Sequence, residues 1–328
     1  MEQWHGKIRA AAMAAVALAA ASAVHGATPA EPTLPKTVRI VVPFSAGGSN
    51  DLFARALGQR IAGKFNVTVV VDNKPGAGGA IGSDMVARAE PDGGTLLLTS
   101  VSFSTNAAVQ PKLPYDPLKS FAPVALVSRG PMLLVVGNQT PYKSTAELLA
   151  AARAQQGKFN YASAGIGSIG QMGGELLNAM GGTQVQHVPY KGISNAVSDM
   201  IGGNVEMMVT TTASVNGPLK AGSIRPIAVT SLERSKFAPD LPAVSEALPG
   251  YAVEAWWGVF APARTPKALV DRLNAEIRAA GQTEELRELY ARESTEAGTM
   301  TADQFAAFVA SEVSKWRKLA KERNITAE

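Results

Sequence analysis

A chain of 328 residues, 46% of them apolar, is long enough for two cored domains and too apolar for a disordered one. Its net charge of +4 arises from 31 basic and 27 acidic residues scattered along the chain, and no basic run is interleaved with aromatics, which excludes a nucleic-acid footprint. With no cysteine, disulfides and the lipid-anchored cysteine of a lipoprotein are excluded as well.

At the N-terminus Lys7 and Arg9 precede an apolar run over residues 10–24 that ends in small residues, the pattern of a secretory signal peptide. The run is shorter than the roughly 20 residues needed to span a bilayer, and every later apolar stretch is soon broken by Gly, Pro or charge. The reading is a signal peptide over residues 1–26, cleaved after Ala23 or a few residues on, near Gly26 or Ala27, and a mature chain in the periplasm without a lipid anchor. The Pro-rich residues 28–35 form an extended lead-in, so folding begins near Thr37.

From Thr37 short β-branched runs alternate with helical patterns. Residues 38–42 read as a strand, followed by a Gly-rich turn and a helix over 51–64 in which Phe53, Leu57 and Ile61 form one buried stripe. Residues 67–71 and 95–99 repeat the strand pattern around a helix that ends near Ala89, which favours a parallel sheet covered by helices. A second set follows: strands at 132–136, 158–162, 184–188 and 224–230, with helices from Ser144 and up to Met180. After a run over 255–260, Thr265 and Pro266 read as an N-cap and first helical residue, and Thr301 with Gln304 as a capping box. The C-terminal helices need a sheet to pack on, so the chain is expected to return to the first lobe. The reading is lobe one over 37–127 and 253–328, lobe two over 128–252, and a hinge of two crossing segments near Val127 and Val253.

The chemistry lies in Gly-rich turns. The first, PFSAGGSND over residues 43–51, sits between a strand and a helix, where backbone N–H groups and the helix dipole form an anion site without Lys or Arg. Gly47 and Gly48 permit close approach, Ser45 and Ser49 add hydroxyl donors, Asn50 caps or binds, and Asp51 complements the dipole as a first-turn acid. The second, ASAGIGSIGQ over residues 162–171, carries Gly165, Gly167 and Gly170 in the spacing G-x-G-x-x-G. A dinucleotide site requires an acid at the end of the next strand, and that strand offers His187, Pro189 and Tyr190 instead. Gly165, Gly167 and Ser168 therefore read as a second anion-binding helix N-terminus, with no cofactor. A third cluster, PGAGGAIG over residues 75–82, is either a wall of the cleft or a turn into a helix.

Enzyme chemistry finds little here. Beyond His5 and His25 in or beside the signal peptide, the chain has one histidine, His187, on an apolar strand, and no G-x-S-x-G elbow to accompany it. It reads as a strand histidine satisfied by hydrogen bonds, leaving a Ser/His hydrolase as a weak alternative and no catalytic residue. No carboxylates fall in an EF-hand or H-E-x-x-H spacing, so no metal site is expected. Of Trp256 and Trp257, adjacent on a strand, at most one faces a cleft. Phe44 and Tyr190, beside the loops, suit either core packing or cleft lining.

The segments RIVVPFSAGGSNDLFARALGQRI, DNKPGAGGAIGSDMVARAEPDGGTLLL, HVPYKGISNAVSDMIGGNVEMMV, GSIRPIAVTSLERS and FAPARTPKALVDRLNAEI, in this order, resemble the substrate-binding proteins of tripartite tricarboxylate transporters, the Bug family. The resemblance continues to SEVSKWRKLAKERNI and so covers essentially the whole mature chain. It implies a type II periplasmic-binding-protein fold, two α/β lobes joined by a two-segment hinge with the ligand cleft between them. It also implies a carboxylate held by two strand-to-helix loops, which match Ser45, Ala46, Gly47, Gly48, Ser49 and Asn50 in one lobe and Ala164, Gly165, Gly167 and Ser168 in the other. The family's hydroxyl-bearing strand after the third turn matches Ser100, Ser102 and Ser104. The implied function is capture of a small organic acid by hinge closure for delivery to transporter subunits, or, as an alternative, to a sensor kinase, by a monomer. Family members often carry His and Leu where this chain has Gln171 and Met172, which makes ligand identity less transferable.

Overall fold

The structure, a computed structural model, describes residues 33–327. The signal-peptide reading lies outside the described residues. One sheet holds β1 (Thr37–Val42), β2 (Thr68–Asn73), β3 (Thr95–Ser100), β4 (Phe121–Pro131), β10 (Glu254–Pro262) and β11 (Glu296–Ala297), in the order β11-β4-β10-β3-β1-β2. The other holds β5 (Leu133–Gly137), β6 (Asn160–Ser163), β7 (Gln186–Pro189), β8 (Met207–Thr210) and β9 (Ile224–Val229), in the order β7-β6-β8-β5-β9. Both follow one plan. In the first lobe β1 pairs in parallel with β2 and β3, and β10 runs antiparallel between β3 and β4. In the second, β6 pairs in parallel with β7 and β8, and β5 runs antiparallel between β8 and β9. The antiparallel strand in each sheet is the one the chain lays down just after crossing from the other lobe.

Helices cover both faces of the sheets, and for this reason β3 and β5 are apolar runs rather than alternating ones. Helix α1 (Ser49–Phe65) buries the expected stripe of Phe53, Leu57 and Ile61, and ends on Asn66 in the left-handed region. It is followed in lobe one by α2 (Ala80–Ala87) and α3 (Ser102–Val109). Lobe two carries α4 (Thr145–Ala154), α5 (Ile169–Gly181), α6 (Ile193–Ile201) and α7 (Thr212–Lys220). The chain then forms α8 (Lys267–Ala280), α9 (Glu284–Arg292) and α10 (Ala302–Glu322). Ser144 caps α4, and Thr301 and Gln304 form the expected capping box of α10. The Thr265 expectation needs correction: α8 starts one residue later, with Pro266 at the cap position and no side-chain cap.

Where β4 passes into β5 and the chain returns into β10, one residue joins both crossings. The backbone of Thr230 exchanges hydrogen bonds with Met132 and Val253, and its fully buried hydroxyl accepts from the Met132 N–H at 2.8 Å and donates to the Val253 carbonyl at 2.6 Å. Thr230→Val keeps the shape but leaves a buried N–H short of its acceptor. Urea unfolding of that variant is expected to show a loss of about 1 to 3 kcal/mol; no loss would mean the hydroxyl does not hold the crossing.

Candidate functional site

The loop after β1 is open at its tip. Ser45, Ala46, Gly47 and Gly48 are exposed, and Ser49 and Asn50 are half-buried as α1 begins. Gly47 takes a φ of +90°, with no atom within 4 Å of where a Cβ would stand. Asp51 shapes this loop from inside: its carboxylate accepts from the Gly47 N–H at 3.0 Å and pairs with Arg55. Burial opposes ionisation at Asp51, but the hydrogen bonds from Arg55, Gly47 and Asn73 outweigh it and hold the carboxyl below its ordinary value. The Ser49 hydroxyl donates to Glu293 at 2.8 Å. The N–H groups of the first turn of α1 have no acceptor within the helix, so they face the open end of the loop.

The third Gly-rich cluster buttresses the first loop and joins it to α3. A Cβ on Gly82 would stand 2.9 Å from Pro43, one on Gly79 3.3 Å from the Phe44 ring, and the Asn106 amide donates to the Gly78 carbonyl. Phe44 thus packs between the two loops. Asn106 also reaches towards the second lobe: its Oδ1 lies 3.6 Å from the position of a Gly167 Cβ, and Val109 Cγ2 lies 2.7 Å from the same point. The lobe-two loop therefore rests on α3 of lobe one. Sequence reading missed Asn106; the Gly-rich turn opposite gave no hint of its partner.

In the lobe-two loop the donors are largely engaged within the loop. The Gly165 N–H donates to Ser163 Oγ at 3.1 Å, the Ser168 N–H to the Gly165 carbonyl at 3.2 Å, and the Gly167 N–H to Gln171 Oε1 at 2.7 Å. Ser168 caps α5 by accepting from the Gln171 N–H, and its hydroxyl donates to Gly165. The spacing Ser168-x-x-Gln171 is a capping-box signature that could have revealed this. Ala164 at the loop's start is exposed. Tyr190 lies beside the loop, its N–H donating to Ser163, but its phenol turns away to Asp199 at 2.6 Å; burial and that carboxylate push it up to about 12.

Ser100 ends β3, but Ser102 and Ser104 lie on α3 rather than on the expected strand. At about 100° per residue they point in nearly opposite directions, so a shared cleft face is corrected to one residue at most. Ser100 donates to Ser102 at 3.3 Å; Ser104 is fully buried, with no partner for its hydroxyl among the described residues. Trp256 donates to the buried Glu312, whereas Trp257, opposite Ser100 and edge-on to Phe53 at 5.0 Å, is 6% exposed with no partner for its indole N–H among the described residues.

His187 stacks on Tyr161 at 5.0 Å and touches Ser163 through Nε2 at 2.7 Å and Gln171 through Nδ1 at 3.2 Å. Burial lowers its pKa below the ordinary 6.5, with the nearby Glu175 opposing. Folded His187 thus prefers to be neutral. Its contribution to stability is complete above about pH 6.5 and is lost as the pH falls from there through the depressed folded value. Urea unfolding between about pH 7.5 and 5.5 is expected to show this loss in the wild type and not in His187→Asn; equal slopes would refute it. Among the described residues no three His, Asp or Glu side chains group to hold a metal ion, and no helix is long and apolar enough to cross a membrane.

A profile of the tripartite tricarboxylate transporter family receptor, TctC, matches residues 53–325. The chain belongs to the TctC family. It is 39% identical over 293 residues to the UPF0065 protein in the tcbD-tcbE intergenic region of a Pseudomonas species, covering 88% of this chain and 86% of that protein. An R. palustris protein solved with adipate superposes with a TM-score of 0.76 at 32% identity, over 89% of this chain and 99% of that one. MatC from Rhodopseudomonas palustris with bound malate gives 0.72 at 32%, over 86% and 98%. The two-lobe α/β architecture is that of these periplasmic binding proteins. TctC receptors bind substrates and are not enzymes, and the Ser163–His187 contact agrees with this: Ser163 is fully buried, and an amide, not a carboxylate, stands on Nδ1.

Proposed function

We propose that this TctC receptor works in the periplasm, capturing a small di- or tricarboxylate between its lobes and presenting the closed form to a tripartite tricarboxylate-type transporter. The observation that supports the reading is that each lobe carries a strand-to-helix loop without Lys or Arg, and that both lead to Asn106 of α3, the first through Phe44 and the Gly78–Gly79 turn, the second at Gly167. An anion placed there is held by backbone dipoles and hydroxyls rather than an ion pair. One carboxylate rests on the N–H groups and side chains of Ser45, Ala46, Gly47, Gly48, Ser49 and Asn50. The loop of Ala164, Gly165, Gly167 and Ser168 closes over it, and Phe44, Ser100 and the ring of Tyr190, its hydroxyl held by Asp199, complete the wall, with Ser104 buried behind it. The lobes of 37–127 with 253–328 and of 128–252 close by bending near Val127 and Val253.

Adipate and malate in the relatives set the first ligands to try. Thermal unfolding with a panel of dicarboxylates, tricarboxylates, amino acids and aromatic acids is expected to give a rise with at least one di- or tricarboxylate, since a ligand that binds only the folded state stabilises it. A rise confined to uncharged compounds would overturn the carboxylate reading, and one confined to amino acids or aromatic monoacids would overturn the di- or tricarboxylate part of it. Lys191, exposed just past β7, is the control: Lys191→Ala is expected to bind as the wild type does.

A further inference from the structure

Gln171 and His187 form a chain whose hydrogens can be assigned without ambiguity. The Gly167 N–H has only a donor to offer, so the Gln171 atom 2.7 Å from it is the carbonyl oxygen. The Gln171 amide nitrogen then donates to His187 Nδ1 at 3.2 Å, which makes Nδ1 an acceptor and places the imidazole proton on Nε2, facing Ser163 Oγ at 2.7 Å. Ser163 in turn accepts from the Gly165 N–H. The loop is thus tied at two glycines, Gly165 and Gly167, to one neutral histidine tautomer.

We infer that Gln171 and His187 are positioning residues of the carboxylate site, holding the lobe-two loop in its binding shape only while His187 is neutral. This rests on the reading of residues 164–168 as a ligand loop. A second proton on His187 must go to Nδ1, where it meets the Gln171 NH2. Turning the amide relieves that clash but sets the NH2 against the Gly167 N–H, so one donor pair always conflicts. The groups facing His187 are Ser163 and Tyr161 from β6, and Gln171 and Glu175 from α5. Arg323, at the C-terminal cap of α10, engages Glu175 at 2.7 Å, and Tyr161 bonds its other oxygen at 2.7 Å. Both Glu175 oxygens are therefore already engaged by donors.

The test uses the whole protein with malate and adipate as probes, in calorimetry between about pH 7.5 and 5.5, across the range where histidine titrates. Wild-type affinity is expected to fall by about two- to tenfold more than that of His187→Asn, the equivalent of one net hydrogen bond; the ligand's own titration is common to both. Gln171→Glu offers an acceptor to both Gly167 and Nδ1–H and is expected to abolish the extra fall. Independently of ligand, the 15N spectrum is expected to show His187 protonated on Nε2, and the Gly167 amide resonance to move with the His187 titration in the wild type alone. An Nδ1–H tautomer, a static Gly167 amide, or matching pH profiles for wild type and His187→Asn would each overturn the inference. Rising wild-type affinity on acidification would do so too, by showing the imidazolium charge acting directly on the anion. Failure of the wild type to bind either probe at any pH would instead count against the proposed function, with the amide titration still deciding the positioning chain.

Discussion

Gly167→Val is expected to weaken ligand binding at least about tenfold in calorimetry, a change of about 1.4 kcal/mol. Two effects act together. Gly167 takes a φ of +77°, a left-handed conformation that a β-branched residue adopts only under strain. The new Cβ would also stand 2.7 Å from Val109 Cγ2, and Val109 belongs to the opposite lobe. Valine is stiff about its one side-chain torsion and this one is buried in the lobe-one core, so it has little room to yield. The lobes must then stay apart or the loop must deform. Gly47→Val is the informative comparison, because it shares the positive φ but meets nothing within 4 Å. With saturating ligand, small-angle scattering is expected to show a larger radius of gyration for Gly167→Val than for wild type, and none for Gly47→Val. If Gly167→Val binds and closes as the wild type does, the lobe-two loop is not part of the closed site.

Arg323→Met is expected to lower stability by about 2 to 3 kcal/mol in chemical unfolding, somewhat below the ~3–5 kcal/mol for breaking a fully buried pair, since Arg323 is partly exposed. Its partner Glu175 is 8% exposed and would keep only the Tyr161 hydroxyl, at 2.7 Å. Burial, reinforced by Glu175, pushes the Tyr161 phenol far above its ordinary value, so it remains a donor throughout the physiological range. Adding Glu175→Gln removes the stranded charge and is expected to recover part of the loss, a coupling that a double-mutant cycle reads directly. A loss below about 0.5 kcal/mol would place the pair among screened surface bridges.

The glycine loops were legible because their shape leaves a mark in sequence: a strand, a run of small residues, then a helix stripe such as Phe53, Leu57 and Ile61. The partners of those loops were not. Asn106 and Val109 sit far from them in sequence, and nothing in their own neighbourhoods distinguishes a residue that meets a loop from one that fills a core. Helix α3 escaped for a related reason. It is enclosed on nearly all sides, so SFSTNAAV shows no polar face, and its hydroxyls suggested a strand lining a cleft. Strand β4 carries Pro123, Gly130 and Pro131, which interrupt the β pattern although the strand is the longest of its sheet. Gln171 was noticed only as a departure from the family; that it ties Gly167 to His187 depends on a distance no spacing rule supplies.

The C-terminal segment ties back to helix α3. The Ala327 N–H donates to the Val109 carbonyl at 2.9 Å, Ile325 is buried in the core, and Val109 is the residue on which the Gly167 loop rests. Thr326, between them, is exposed. Because the chain contains no cysteine, Thr326→Cys would give a single thiol, and an environment-sensitive dye attached there would sit one residue from the point where the two lobes meet. Under the proposed function, such a labelled protein would serve as an optical sensor of the captured acid, lobe closure being read as a change in emission.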